Sequence, residues 1–374
     1  MRLLEPAQRR QLDLDASAPA ARWADFDRAE DVAALRRLAG AMMADINRKW
    51  LWRLAWRVGS RAAYALLYKP FGHYVADSDH LSRLGGGDLL APADMAGLQR
   101  LYTLSHAGCS SVMAWDEAAG RMVHFRSLDW PSADSIADAT RIIIGRRGER
   151  DAYAAAGILG MAGLLTAVKP GFSVCINYAP WRGPSCSLNP DPSFLLRRLM
   201  DSPIASFDDA CREIAGWKPA APVFISLCGV AKGEARIFEF GAARHRAKRC
   251  HVRPMGARDW LIQTNHFADD SPFVSHALTQ APRRPWDHAD WDGYTIRATS
   301  RARRRLLDDS LRSGYGIKPL RDTLFATFAR RPAWNRQTAQ WVEMTPATGD
   351  MQVWVRDGDE AGDFIRPGGR QGGR

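Results

Sequence analysis

The hydrophobic pattern changes period partway along the chain. Helical spacing begins near Arg28 and carries through Ala33, Ala34, Leu35, Leu38, Ala41 and Met42 to Met43. It resumes from about Asn47 to Tyr68. There Lys49, Arg53, Arg57 and Arg61 recur every four residues, and Trp50, Leu51, Leu54, Ala55, Val58 and Ala62 form the opposite face. Pro70, Gly72 and the run Gly85-Gly86-Gly87 interrupt it, and a further helix is predicted over Pro92–Leu104. Upstream, residues 12–24, with Leu12, Leu14, Pro19 and Trp23, read as an extended lead-in. At Gly108 the helical pattern stops. Cys109–Trp115 and Arg121–Asp129 are rich in strand formers, and the residues between them, Asp116-Glu117-Ala118-Ala119-Gly120, are turn formers. The pair predicts a β-hairpin.

Beyond the hairpin, strands are predicted over Ala139–Gly145, Gly157–Leu165, Phe172–Tyr178, Pro222–Val230, Ala235–Phe240 and Trp260–Thr264. Helices are predicted over Pro192–Met200 and Ser206–Ala215, the second with Ser206 as N-cap and Asp208 and Asp209 in its first turn. Residues 268–293, rich in Pro, Asp and Arg, read as loop. Helices at about Ser300–Ser313 and Pro319–Phe328 follow, then a closing hairpin, Gln340–Met344 with Met351–Arg356. Strands of this kind mixed with helices predict an α+β sandwich rather than a parallel doubly wound sheet. The Gly- and Arg-rich tail from Asp357 is expected to be disordered.

At 374 residues, with 46% hydrophobic and 25% charged residues, the chain has ample material for a buried core. No run of about 18 apolar residues is present, so no spanning helix is predicted. The first fifteen residues lack the apolar core of a secretory signal, and cytoplasmic residence is the expectation. The net charge of +11 favours anionic surfaces, but no nucleic-acid recognition motif accompanies it, so none is assigned as a partner. A tryptophan-rich basic helix carrying Trp50, Trp52 and Trp56 suits peripheral membrane contact as well as ordinary packing on a core. The glycine run lacks the following Lys-Ser/Thr of a phosphate loop. The six cysteines show no Cys-x-x-Cys pair or zinc spacing, so neither metal nor cofactor is expected.

The hairpin concentrates the candidate chemistry. With a turn centred near Ala118, antiparallel pairing returns Arg126 and Asp129 to the side of Cys109, so a thiol, a guanidinium and a carboxylate meet at its open end. Two routes could activate the thiol. His106 precedes it by three residues and His124 lies on the returning strand, which leaves a Cys-His arrangement open. Alternatively, cutting the Gly108–Cys109 bond gives Cys109 a free α-amine, with an ordinary pKa of about 7.7–8.0, able to take the thiol's proton.

These residues also carry a resemblance. Cys109-Ser-Ser-Val-Met-Ala followed by His124-Phe-Arg-Ser-Leu-Asp129 resembles the C-T-S-I-V-A … H-G-R-N-x-D pattern of the acid ceramidase and N-acylethanolamine acid amidase family, related to the choloylglycine hydrolases. Leu12-Asp-Leu-Asp with Trp23, Leu101–Leu104, Gly163-Leu164, Lys169–Ser173, Gln263-Thr264-Asn265 and Arg331-Pro-Ala-Trp-Asn335 are similar to further segments of that family, in order. Ser127 and Phe125 depart from its Asn and Gly, and Tyr178 stands where acid ceramidase has Glu.

The resemblance implies an αββα four-layer sandwich of N-terminal-nucleophile type. It also implies a helical segment over 1–108 and a catalytic domain over 109–356, which leaves the Gly- and Arg-rich tail over 357–374 outside it. It implies Cys109 as nucleophile after self-cleavage, attended by Arg126 and Asp129, with Asn265 and Asn177 as donors to an oxyanion. A late arginine is expected from among Arg297, Arg301 and Arg303, with Arg301 preferred. The implied substrate is a small N-acyl amide of lipid type, such as a ceramide or N-acylethanolamine. Acyl transfer to an amine by the same fold, and a non-catalytic lipid- or membrane-binding protein, are the alternatives.

Overall fold

The computed structural model describes residues 1–47, 57–62, 64, 65, 72–85, 108–130, 132–182, 187, 189–242, 250–277 and 296–357. The predicted hairpin forms its centre. Strand β3 (Gly108–Asp116) pairs antiparallel with β4 (Arg121–Asp129), in a register that sets Gly108 opposite Asp129 and Cys109 opposite Leu128. Gly120 closes the turn at φ 60°, a conformation that costs glycine little, and Asp116 Oδ1 accepts the Ala119 N–H at 3.2 Å.

Alternation along the hairpin divides it between two environments. Val112, Ala114, Val123 and Phe125 pack on helices α7 (Ile296–Gly314) and α8 (Leu320–Phe328) through Leu307, Leu324, Phe325 and Phe328. Phe125 meets the rings of Phe325 and Phe328 at 5.0 and 4.6 Å, contacts worth about 0.5–1.5 kcal/mol each beyond area burial. The other face carries Cys109, Ser111, His124 and Arg126 toward a second sheet.

The hairpin belongs to a six-stranded sheet ordered β1-β14-β13-β4-β3-β12. Its remaining strands are β1 (Arg2–Leu3), β12 (Trp260–Gln263), β13 (Thr338–Thr345) and β14 (Asp350–Val355). The eight-stranded sheet runs β11-β10-β9-β8-β7-β6-β5-β2. It contains β2 (Arg9–Asp13), β5 (Thr140–Arg147), β6 (Arg150–Ile158), β7 (Thr166–Lys169), β8 (Phe172–Tyr178), β9 (Val223–Cys228), β10 (Ala235–Phe240) and β11 (Cys250–Pro254). Phe172, Val174 and Ile176 of β8 join a core with Phe194 and Leu196 of α5 (Pro192–Asp201) and Ala210 and Ile214 of α6 (Phe207–Ala215). The alternate residues Ser173, Cys175 and Asn177 face the first sheet. Two helix layers therefore enclose two sheets, as expected. Ser206 caps α6 by accepting the Asp209 N–H at 3.1 Å.

Several expectations are corrected. Residues 157–165 are not one strand: β6 ends at Ile158, and a connection follows before β7 opens at Thr166. The Ala- and Gly-rich run of β6 and the short β11 were not predicted. The lead-in contains β2, a short helix α1 (Pro19–Arg22) and the buried Trp23. The predicted helix near Arg28 is α2 (Ala29–Asn47), and α3 covers His73–Leu84. The segment before Gly108 is thus not helical alone, because β1 pairs with β14 and β2 runs parallel to β5.

Residues 57–62 are helical, with Arg57, Val58 and Arg61 exposed. Trp50, Trp52 and Trp56, the helix predicted over 92–104, and the tail after Asp357 lie outside the described residues. No described helix is long and apolar enough to cross a membrane.

Candidate functional site

Cys109 is the second residue of β3 and has no exposed surface. On its ladder side β12 stops pairing at Gln263, opposite Ser111. Two residues later a side chain continues the ladder: Asn265 Oδ1 accepts the Cys109 N–H at 2.8 Å. The same oxygen accepts Arg303 Nη2 at 2.7 Å, and Asn265 Nδ2 donates to the Tyr178 carbonyl at 2.9 Å. Two donors on one atom and a carbonyl on the other fix which way round the amide stands. Arg303 Nη1 donates to the Cys109 carbonyl and, at 2.8 Å, to Ser110 Oγ.

The thiol faces the space between the sheets. Arg126 Nη2 reaches Sγ at 3.6 Å and the Ile176 carbonyl at 2.8 Å, while Nη1 donates to Thr166 Oγ1. One buried guanidinium thus spans from β4 to β7 and β8 with the sulfur in its reach. Asp129 faces the other way, beside Gly108. A Cβ on Gly108 would stand 2.8 Å from Asp129 Oδ2, so only glycine lets the backbone before the nucleophile lie this close to the carboxylate. Asp129 Oδ1 accepts the Thr338 hydroxyl at 2.9 Å and Oδ2 accepts Asn335 Nδ2 at 3.0 Å. Burial pushes its pKa up. The charges of Arg303 and Arg126 and the hydrogen bonds from Asn335 and Thr338 oppose that shift without reversing it.

The hairpin therefore gathers Cys109, Arg126 and Asp129 at its open end, with the sulfur and guanidinium on one face and the carboxylate on the other. The late arginine needs correcting. Arg301 is half-buried and pairs with the exposed Asp269 at 2.9 Å. Of the two whose side chains are described, Arg303 is the one at the cysteine, because two residues on a helix differ by roughly 200° in direction. The side chain of Arg297 lies outside the described residues.

Asn177 serves as a brace in the intact chain: its Nδ2 donates to the Gln263 and Thr264 carbonyls at 3.2 and 3.3 Å, holding the segment that carries Asn265. The sequence alone gives Asn335 and Thr338 no role, although Asn335 closes the segment Arg331-Pro-Ala-Trp-Asn335. Their signal is the pairing of Asp129 with Thr338 at the start of β13.

The Cys-His alternative is answered for His124. Its Nδ1 lies 2.9 Å from Ser173 Oγ and its Nε2 lies 3.4 Å from Cys175 Sγ, so it partners a different thiol. Burial, helped by the charge of Arg126, lowers the imidazole pKa to about 3, and burial raises the Cys175 thiol to about 11. A neutral ring beside a neutral thiol is not an activated nucleophile. His106 lies outside the described residues. Among the described residues no three His, Cys, Asp or Glu side chains converge as a metal site would.

No family model matches the sequence, and neither does any curated protein. Among solved structures, a Caenorhabditis elegans ortholog of N-acylethanolamine-hydrolyzing acid amidase matches with a TM-score of 0.50 and 19% identity, covering 67% of this chain and 100% of that one. The chain has the acid-amidase fold, an N-terminal-nucleophile hydrolase-like sandwich. At 19% identity the likeness concerns the fold. Within the acid-amidase fold, the arrangement at Cys109 can present a sulfur beside a cation, and can hold a backbone nitrogen and carbonyl in fixed directions.

Proposed function

We propose that the chain is an amidohydrolase that cuts itself between Gly108 and Cys109 and then cleaves small N-acyl amides with the freed N-terminal cysteine. One observation carries the reading: the N–H, the carbonyl and the sulfur of Cys109 are each held by a side chain from elsewhere, Asn265, Arg303 and Arg126. An ordinary buried cysteine in a strand needs none of these.

In the first step Sγ attacks the Gly108 carbonyl. The bond to the Cys109 nitrogen breaks, the nitrogen takes the thiol's proton, and a thioester links Gly108 to Sγ. Water then hydrolyses the thioester, leaving a Gly108 carboxylate, a free thiol and a free α-amine. In turnover that amine, of ordinary pKa about 7.7–8.0, takes the thiol's proton as sulfur attacks the substrate amide, and returns it to the departing amine. Water again releases the acid. Arg126 favours negative charge developing on sulfur, and Asn265 keeps the amine in place through Oδ1. A carboxamide has two N–H groups, so Asn265 Nδ2 can serve the oxyanion while its oxygen holds the amine. The substrate class, a lipid-like acyl amide, follows the sequence resemblance and the amidase fold.

The test is N-terminal sequencing and denaturing electrophoresis, with a panel of fluorogenic N-acyl amides. Wild type is expected to give fragments 1–108 and 109–374 and to turn over a member of the panel. Cys109→Ala is expected to stay intact and inactive. A wild-type chain that remains uncut yet fully active would sink the free-amine mechanism.

A further inference from the structure

Ser300 is a buried polar residue of α7 to which this chemistry gives no part. It lies one turn before Arg303 on the same helix face and has no exposed surface. Its Oγ accepts the backbone N–H of Asn265 at 2.7 Å. It also lies 2.8 Å from Thr264 Oγ1 and 2.8 Å from His266 Nδ1. The Thr264 hydroxyl reaches the Ser300 carbonyl at 3.1 Å.

One proton arrangement satisfies all of these groups. Thr264 donates to the Ser300 carbonyl, Ser300 donates to Thr264 Oγ1, and a neutral His266 carrying its hydrogen on Nδ1 donates to Ser300 Oγ. Ser300 then accepts twice and donates once, which is the capacity of a hydroxyl. His266 stays neutral because burial and the charges of Arg304, Arg301, Arg303 and Arg253 lower its pKa to about 3.

Asn265 needs such support because β12 stops pairing at Gln263, so no strand ladder fixes the residue that holds the Cys109 nitrogen. Helix α7 grips it twice instead, at the backbone N–H through Ser300 and at the side-chain oxygen through Arg303. We propose that Ser300, backed by Thr264 and His266, is a positioning residue that sets Asn265 against the nitrogen of Cys109, in self-cleavage and in amide turnover alike. This rests on the proposed function, in which that nitrogen becomes the catalytic amine.

Full-length Ser300→Ala, Asn265→Ala and the double variant test it, read by turnover of a fluorogenic N-acyl amide and by the fraction cut after Gly108. Misplacing a catalytic group by about 1 Å costs on the order of 100-fold, so Ser300→Ala is expected to lower kcat by about 10- to 100-fold with KM within about twofold. The double variant is expected to be no slower than Asn265→Ala alone, because Ser300 acts through Asn265. The cut fraction is expected to follow the same order.

Losses that multiply in the double variant overturn the assignment, as does wild-type kcat and cutting in Ser300→Ala. Should Ser300→Ala not fold, the near-isosteric Thr264→Val removes the hydroxyl that receives the Ser300 hydrogen; a several-fold fall in kcat at unchanged KM supports the assignment, and wild-type kcat overturns it. An active wild type with an indifferent Ser300 refutes this inference alone. A wild type that neither cuts itself nor turns over an amide refutes the proposed function with it.

Discussion

Arg197 and Arg303 are both about 1% exposed, yet they sit in different company. Arg197 lies among carboxylates. Its Nη2 stands 2.8 Å from Asp77 Oδ2, an ion pair outside hydrogen-bond angles, and its Nε stands 3.4 Å from Asp201. Asp77 also accepts Arg22 Nη1 at 2.6 Å, and the Trp23 and Tyr74 rings stack on the Arg197 guanidinium at 5.1 and 4.8 Å. A second cluster repeats the plan: Asp31 is shared by Arg10 and, at 2.7 Å, by Arg141. In both, an acid that precedes Gly108 is shared between an arginine that precedes it and one that follows it.

Arg303 instead donates to neutral oxygens, those of Cys109, Ser110 and Asn265. A guanidinium bonded to carboxylates has its charge neutralised and serves to fasten. One bonded to neutral acceptors, with Asp129 felt only through space, keeps more of its charge available for an anion that forms during reaction. On the proposed function, the difference separates the part of the molecule that joins residues before and after Gly108 from the part that would handle developing charge.

The largest expected effect tests the fastening side. Asp77→Ala leaves Arg22 and Arg197 without their shared carboxylate, and breaking a buried pair from one side costs about 3–5 kcal/mol. A lower urea midpoint at unchanged slope is the expected reading, and an unchanged midpoint would dissolve the contrast. Next, Arg303→Met is expected to slow amide turnover about 100-fold, the scale of losing one preorganised donor, while moving the urea midpoint less than Asp77→Ala does. A large stability loss with normal turnover would place Arg303 on the fastening side.

A smaller effect concerns the field of Arg126. His124 has a folded pKa of about 3, depressed by burial and then by Arg126. Because that value lies below the ordinary histidine value of about 6.5, its contribution to stability is complete above pH 6.5 and is lost as pH falls toward 3. His124→Gln is therefore expected to lose less melting temperature than wild type between pH 7 and pH 4. Equal losses in the two proteins would count against it. The smallest effect is that of Arg301→Ala, whose exposed pair with Asp269 is worth at most about 1 kcal/mol. Turnover within twofold of wild type is expected.

Legibility in the sequence follows the locality of the forces. The hairpin, β8, α5 and α6 were readable because each carries its own periodicity and its own turn or cap. Strand β6, Arg150–Ile158, was not, because alanine and glycine have weak strand preference and the partners on either side decide its state. At the site, Cys109, Arg126 and Asp129 were legible from hairpin register alone. Choosing Arg303 over Arg301 required the facing direction of α7, and the parts of Ser300, Asn335 and Thr338 depend on packing between elements far apart in sequence.

One feature of the first thirteen residues bears on a hazard common to β proteins. Strand β1 covers the outer margin of β14, and β2 covers that of β5. An uncovered strand margin offers unpaired N–H and C=O groups to any passing chain and templates aggregation. If the chain is severed after Gly108 and its leading piece stays docked, β14 and β5 remain covered, and the outer strands are the short β1 and β2 with β12 and β11 at the opposite margins. A preparation of 109–374 made alone would expose one raw margin on each sheet. Such a product is expected to precipitate and to become soluble when 1–108 is supplied in trans.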